Sequence, residues 1–213
     1  MTGAPGDAES AVWAFFDLDG TLIRRDSYLP FLWGWLCAHP GRAWRAACLP
    51  FACAWALARG RGRGGLKQAF LAAFMQGARR EEVDAFAERF WERFLRHNEN
   101  AEVVRRLRGH REEGHRVYIV TASFAFYTAH LARRWPVDGV IGTRAVWDGD
   151  LLAGRLDGAN CRGEEKLRRI REELGVALPA VECYAYSDSD ADRPLCESAR
   201  YAFRVESSTI RPW

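Results

Sequence analysis

The stretch 15-FFDLDGTLIRRD-26 places two aspartates, Asp17 and Asp19, directly after an apolar run. Residues 12–16 are almost continuously apolar, which is typical of a strand buried on both faces of a parallel sheet. In an open α/β sheet, ligands bind beyond the carboxyl ends of the strands. The two carboxylates are therefore candidate site residues.

Other apolar runs and the charged segments between them have the lengths of strands and helices. Strands are predicted at 117–120, 140–141, 181–186 and 200–205, and helices at 101–113, 124–135 and 163–174. Asp148-Gly149 is a hairpin signal between apolar residues. Strands that alternate with helices predict an α/β fold, a Rossmann-like parallel sheet with helices on both faces.

Residues 27–98 interrupt this alternation, because they are helical in character and rich in Ala, Leu, Phe and Trp. We interpret them as an inserted, all-helical cap domain. Residues 1–26 and 99–213 then form the Rossmann-like catalytic core.

The charge of the chain is unevenly distributed. The net charge of the 213 residues is only +3, which by itself argues neither for nor against nucleic acid. Residues 27–80, however, contain eight basic residues and no acidic one. This asymmetry predicts that the cap meets an anionic partner.

Cysteine spacing and the N-terminal sequence favour a reduced, cytoplasmic location. The six cysteines form no C-x-x-C pair, and several lie in apolar runs. Residues 1–10 lack the basic start and apolar run of a signal peptide. We expect a cytoplasmic protein whose first ten residues are disordered.

Polar side chains also follow the other predicted strands. Thr121 ends the second strand, 187-SDSDAD-192 ends the third, and Lys166 opens a helix. Clustered carboxylates repel one another unless a cation joins them, and hard oxygen ligands suit Mg²⁺. Carboxylates, a divalent ion, a hydroxyl and a lysine together fit phosphoryl transfer.

Four segments carry a resemblance to a known family. DLDGTL, the hydroxyl after V-Y-I-V, the turn G-E-E-K and Y-S-D-S-x-x-D-x-P-L resemble the four motifs of the haloacid dehalogenase-like hydrolases. The match spans about residues 12–205. Within the superfamily the chain resembles the phosphoserine-phosphatase-like branch, whose cap lies between the first and second motifs.

The resemblance implies an aspartyl-phosphate mechanism. Asp17 would be the nucleophile, and Asp19 would protonate the leaving alkoxide and then activate water. Asp17, the backbone carbonyl of Asp19 and Asp188 would hold Mg²⁺. Asp192 would support either the metal or Lys166.

The resemblance also implies the residues that bind the phosphoryl group. Thr121 and Lys166 would hold the phosphoryl oxygens, and Ala122 would contribute to the same loop. Gly20 would permit the tight turn after Asp19, and Thr21 would brace it.

Departures from the phosphoserine phosphatase pattern bear on the substrate. Ser187, Ser189 and Ala191 replace two glycines and an asparagine of the last motif, and Asp26 replaces a glutamate that would bind the serine amine. The Y-S-D-S form and the apolar basic cap are more similar to phosphatidylglycerophosphatase C-type enzymes. We interpret Asp26 as a hinge or helix N-cap residue in preference to a substrate contact.

The apolar segments of the cap have two interpretations. Residues 46–58 are uncharged but, at about 1.5 Å per helical residue, too short for a hydrocarbon core of about 30 Å. Trp33, Trp35, Trp44 and Trp55 lie among arginines, a composition typical of an interfacial membrane anchor. Alternatively, these helices pack on each other over the active site.

We therefore expect a Mg²⁺-dependent phosphatase whose preferred substrate is a phospholipid head-group phosphate. Its partners would be this phosphate monoester and, through the cap, an anionic membrane surface at the inner face. No nucleic-acid or protein partner is predicted. The alternatives are a phosphatase of a soluble metabolite such as phosphoserine, and a non-catalytic phosphate- or membrane-binding module.

Overall fold

The fold is given by a computed structural model that describes residues 11–47, 49–60, 62–178 and 180–213. The predicted disordered leader, residues 1–10, lies outside this range. The strands are β1 (Trp13–Phe16), β2 (Arg116–Phe124), β3 (Gly139–Thr143), β4 (Ala145–Asp148), β5 (Leu151–Leu156), β6 (Cys183–Ser187), β7 (Tyr201–Glu206) and β8 (Thr209–Pro212). The α-helices are α1 (Tyr28–Ala38), α2 (Ala43–Ala46), α3 (Leu49–Ala58), α4 (Gly62–Met75), α5 (Arg80–Asn98), α6 (Ala101–Glu112), α7 (Ala125–Thr128), α8 (Glu164–Leu174) and α9 (Arg193–Ser198).

The main sheet has the strand order β3-β2-β1-β6-β7-β8, and every pair in it is parallel except β7 with β8. Strands β4 and β5 form a separate hairpin. The predicted Rossmann-like α/β fold is confirmed. Since β1 lies between β2 and β6, the loops that follow these three strands meet at one edge of the sheet.

Strand β1 is apolar throughout because both of its faces are covered. Ala14 and Phe16 pack into a core that extends to α6 and the cap helices. Trp13 and Phe15 pack on the opposite face, with Ile170 of α8 among their neighbours. Side chains alternate between the faces of a strand, so a strand buried on both sides needs apolar residues at every position.

The segment after residue 120 differs from the sequence prediction. Strand β2 continues to Phe124, with a shift of register against β3 after Val120. The helix predicted at 124–135 is reduced to α7 followed by a 3₁₀ segment, Ala129–Arg133. Phe124 pairs with Thr143 of β3, and this long-range contact keeps Phe124 in the strand, where the local pattern predicted the start of a helix. Strand β8 was not predicted, because four residues at a sheet edge carry little periodic signal.

Helices α1 to α5 follow one another between β1 and α6. The inward face of α5 shows the spacing of an amphipathic helix, with Val83, Phe86, Ala87, Phe90 and Trp91 buried. Two contacts hold the cap over the sheet edge. The Trp91 indole donates a hydrogen bond to the Tyr127 carbonyl at 2.6 Å, and Phe31 stacks on the Tyr127 ring at 4.1 Å. Over the part of the chain that the structure describes, every helix is too short or too polar to cross a bilayer.

Candidate active site

A cavity of 380 Å³ lies where the carboxyl ends of β1, β2 and β6 face the cap. The sheet edge and the loops after it contribute Asp17, Asp19, Thr121, Ala122, Ser123, Lys166, Asp188 and Asp192 to its lining. The cap side contributes Tyr28, Arg63, Leu66, Lys67 and Phe70. The structure thus brings most of the predicted site residues to one cavity.

Lys166 joins two of the predicted carboxylates. Its ammonium donates hydrogen bonds to Asp17 Oδ1 at 2.6 Å and to Asp192 Oδ2 at 2.7 Å. Asp192 also accepts a hydrogen bond from the Ser187 hydroxyl at 2.7 Å. Of the two roles considered for Asp192, these contacts favour support of Lys166.

The electrostatics of these three buried groups favour a charged lysine. Burial alone would lower the pKa of Lys166, but the charges of Asp17 and Asp192 raise it above its usual value. Burial raises the pKa of Asp17, and the charge of Lys166 opposes that rise. A charged Lys166 keeps one oxygen of Asp17 bound and orients the other.

Asp19 is held by three hydrogen bonds in an enclosed position. The Ser27 amide and hydroxyl donate to its Oδ1 at 2.7 and 2.6 Å, and the Ser123 hydroxyl donates to its Oδ2 at 2.6 Å. The Tyr127 hydroxyl lies 3.0 Å from that of Ser27. Burial, with the nearby charge of Asp26, raises the pKa of Asp19. A raised pKa is what a general acid requires.

Gly20, Thr21 and Asp188 form one tightly packed unit. Gly20 has φ +85°, and a Cβ at this position would lie 2.2 Å from Asp188 Oδ2. The Thr21 hydroxyl accepts from the Asp188 amide at 3.0 Å and contacts its carboxylate at 3.2 Å. Only glycine permits the Asp188 carboxylate to approach the backbone beside Asp19 this closely.

These donors fit Mg²⁺. Asp17 and Asp188 carry raised pKa values chiefly because of burial, and a divalent cation beside them would favour the charged forms. The close approach of Asp188 to Gly20 brings a carboxylate near the Asp19 backbone. Carboxylate and carbonyl oxygens are the ligands that Mg²⁺ prefers.

The register-shifted part of β2 after Val120 presents Thr121 and Ala122 to the cavity. The Thr121 hydroxyl accepts a hydrogen bond from the Ser123 amide at 3.0 Å. The Ala122 carbonyl accepts from the Thr143 hydroxyl at 2.5 Å. These bonds fix this part of β2, so its backbone amides and the threonine hydroxyl occupy set positions.

Lys67 of α4 is a site residue that the sequence analysis missed. Its ammonium donates hydrogen bonds to the Ala122 carbonyl and to Asn160 Oδ1, and it lies 4.9 Å from the centre of the Tyr28 ring. Burial lowers its pKa to about 8. Lys67 is one of the eight basic residues in the segment 27–80, which has no acidic residue. Only the folding of α4 over the sheet distinguishes it from the seven arginines of that segment.

Asp26 stands at the junction of core and cap. Its carboxylate accepts a hydrogen bond from the Tyr28 amide at 2.8 Å, at the start of α1. It also lines the cavity. The hydrogen bond agrees with the interpretation of Asp26 as a residue that starts a helix. Its place in the lining also puts the side chain next to the cavity where a substrate would bind.

Residues 14–197 match the family model of the haloacid dehalogenase-like hydrolases. The chain belongs to this family. The prediction of an enzyme of this hydrolase class is thereby confirmed.

Three known proteins are similar to this chain over most of its length. Protein CicA of Caulobacter vibrioides is 38% identical over 92% of this chain and 85% of its own length. A Bordetella pertussis Tohama I protein described as having unknown function is 29% identical, with a TM-score of 0.73 over 91% of this chain and 89% of its own. Phosphoserine phosphatase SerB1 of Mycobacterium tuberculosis is 29% identical over 85% of this chain and 60% of its own length.

Proposed function

We propose that this hydrolase is a Mg²⁺-dependent phosphatase that cleaves a phosphate monoester through an aspartyl-phosphate on Asp17. The observation that carries this proposal is the meeting of Asp17, Asp19 and Lys166 in one cavity. The phosphatase names of relatives such as SerB1 support the reaction class.

The first step would transfer the phosphoryl group to the protein. An Asp17 oxygen attacks phosphorus, the bond from phosphorus to the ester oxygen breaks, and Asp19 donates its proton to the departing alkoxide. The raised pKa of Asp19 keeps that proton available. In the second step water attacks the phosphorus of the aspartyl-phosphate, and Asp19 takes the proton of the water. Inorganic phosphate leaves and Asp17 is restored.

The phosphoryl oxygens need positive charge and hydrogen-bond donors. Lys166 supplies the charge from one side, and Thr121 with the backbone of Ala122 supplies donors from the other. Mg²⁺ held by Asp17, Asp188 and the Asp19 carbonyl would neutralise the charge that develops on the phosphoryl oxygens.

A phospholipid head-group phosphate, such as that of phosphatidylglycerophosphate, is our preferred substrate. Trp33, Trp44, Phe51 and Trp55 of the cap are 64%, 68%, 81% and 58% exposed. The guanidinium of Arg59 stacks on Trp55 at 3.9 Å, and that of Arg45 lies 5.5 Å from the Trp44 ring centre. Exposed aromatic rings beside arginines suit the interface of an anionic bilayer. The enzyme would then act at the inner face of the membrane.

The alternative is a small soluble substrate such as phosphoserine. The name of SerB1 favours it. The replacement of the expected glutamate by Asp26 speaks against a serine amine contact.

Phosphate release measured with Mg²⁺ separates these substrates. Phosphatidylglycerophosphate in mixed micelles is compared with phosphoserine and other soluble monoesters, and Asp17→Asn serves as the blank. Preference for the lipid supports a membrane-facing enzyme. Preference for a soluble ester overturns the lipid assignment but keeps the chemistry. Release by Asp17→Asn equal to that of the wild type removes the proposed mechanism.

A further inference from the structure

A second group of metal-binding side chains lies near the amino end of β2. His110 is in the last turn of α6, Glu113 follows that helix, and His115 immediately precedes β2. One ligand atom of each residue lies within 4.8 Å of the other two. The catalytic carboxylates follow the carboxyl ends of the strands, so this group lies toward the opposite edge of the parallel sheet.

The distances within this group suit a single small cation. His110 Nδ1 and His115 Nδ1 are 2.8 Å apart, and Glu113 Oε2 is 3.7 Å from His115 Nδ1. A tetrahedral ion with metal–nitrogen bonds of about 2.0–2.1 Å separates two nitrogen ligands by about 3.3 Å. A small rotation of the His115 ring would supply the difference.

The His110 ring is held in place by the core. Its Nε2 lies 2.9 Å from the Tyr186 hydroxyl, and its ring centre is 4.6 Å from that of Tyr184. The His115 ring also stacks on Tyr184, with the ring centres 5.7 Å apart. A metal-bound histidine usually donates its second ring N–H to a fixed oxygen, which orients the ring. Tyr186 is placed to be that oxygen.

Arg106 places a positive charge near His110, and the carboxylate of Glu113 would offset this charge when a cation binds. A cavity of 350 Å³ adjoins the group, and Arg105 and Arg106 are in the lining. Arg105 is paired with Glu102. Bound Glu113 would bring a negative charge, whereas the two imidazoles bind a metal as neutral ligands.

We propose that His110, Glu113 and His115 bind a transition-metal ion of the Zn²⁺ class, with water completing the coordination. Two imidazoles and one carboxylate select such ions over Mg²⁺, which prefers oxygen alone. The ion would fix the end of α6 to the start of β2. This site is separate from the catalytic carboxylates and does not depend on the phosphatase proposal.

Co²⁺ titration of the chelator-treated full chain, in excess Mg²⁺, tests the proposal. We expect d–d absorption bands of one tetrahedral Co²⁺ per chain that Zn²⁺ abolishes. His115→Gln and Glu113→Gln should weaken binding at least about tenfold, and Tyr186→Phe about 10–100-fold. His97→Gln removes an exposed histidine elsewhere and should leave binding unchanged.

Two results would overturn the proposal. One is Co²⁺ binding by the wild type that is no tighter than by His115→Gln, which would leave only a hydrogen-bonded histidine pair. The other is binding that disappears in Asp188→Asn and persists in His115→Gln, which would assign the ion to the catalytic carboxylates. His110 itself is buried, so its substitution is avoided. His115 is half-buried and Glu113 is exposed, so both can be substituted with less risk to folding.

Discussion

The carboxyl edge of the sheet encloses charged side chains, whereas the outer surface of α1–α3 exposes apolar ones. At the edge, Asp17, Asp19 and Lys166 are enclosed, and each is bonded to another polar group. On α1–α3, Trp33 and Phe51 are exposed although they are apolar. Buried charge is costly without a partner, so the edge is completed from within the chain. An exposed apolar surface of this kind is expected where a second surface covers it.

Asp17→Asn should have the largest effect, because it removes the nucleophile and barely changes the shape of the edge. We expect kcat for phosphate release to fall by at least about 10⁴-fold. Asp190→Asn, at an exposed carboxylate paired with Arg204, is the matched control and should retain activity. A loss of similar size in the control would mean that the assay reports general disruption.

Lys67→Met tests the contact that α4 of the cap makes with the carboxyl edge of the sheet. A substrate with a second anionic group beside its phosphate should lose about 10–100-fold in kcat/KM, because hydrogen bonds to charged groups contribute about 1.5–3 kcal/mol. The pKa of about 8 means that wild-type Lys67 is charged below pH 8 and loses its charge as pH rises through that value. KM for such a substrate should therefore rise above pH 8.

Lys67→Arg is the matched control for this pH effect, because arginine stays charged throughout the range. Its KM should not rise above pH 8. If the arginine variant and the wild type share the same pH profile, another group is responsible.

The double variant Trp33→Ser with Trp55→Ser tests the cap surface. Binding to vesicles that contain anionic phospholipid should weaken roughly tenfold or more, since the loss of each indole ring removes apolar area that a bilayer would bury. The free energy of unfolding should change by less than about 1 kcal/mol, because both residues are exposed. Leu151→Ser changes an exposed apolar residue of β5 and should leave vesicle binding intact. If both variants bind vesicles equally well, the aromatic surface does not bind membranes and the cap serves only as a lid over the active site.

Asp26→Asn should have the smallest effect. Loss of its charge removes a cause of the raised pKa of Asp19, so Asp19 would lose its proton at lower pH. The alkaline limb of the kcat profile should shift toward lower pH. Loss of the acceptor charge at the Tyr28 amide should cost at most about 1 kcal/mol of unfolding free energy. An alkaline limb that does not move would show that another group controls it.

The sequence by itself determined the family, the α/β class and the aspartates after β1, because short motifs and a strand buried on both faces leave local patterns. It also showed an apolar, basic segment between β1 and α6. The tertiary structure decided which of these residues meet. Burial separates Trp35, which is enclosed, from Trp33, which is exposed, although both lie on α1. The tertiary structure also brings Lys67 to Ala122 and extends β2 beyond Thr121. These outcomes depend on contacts between residues far apart in the chain, which no local pattern records.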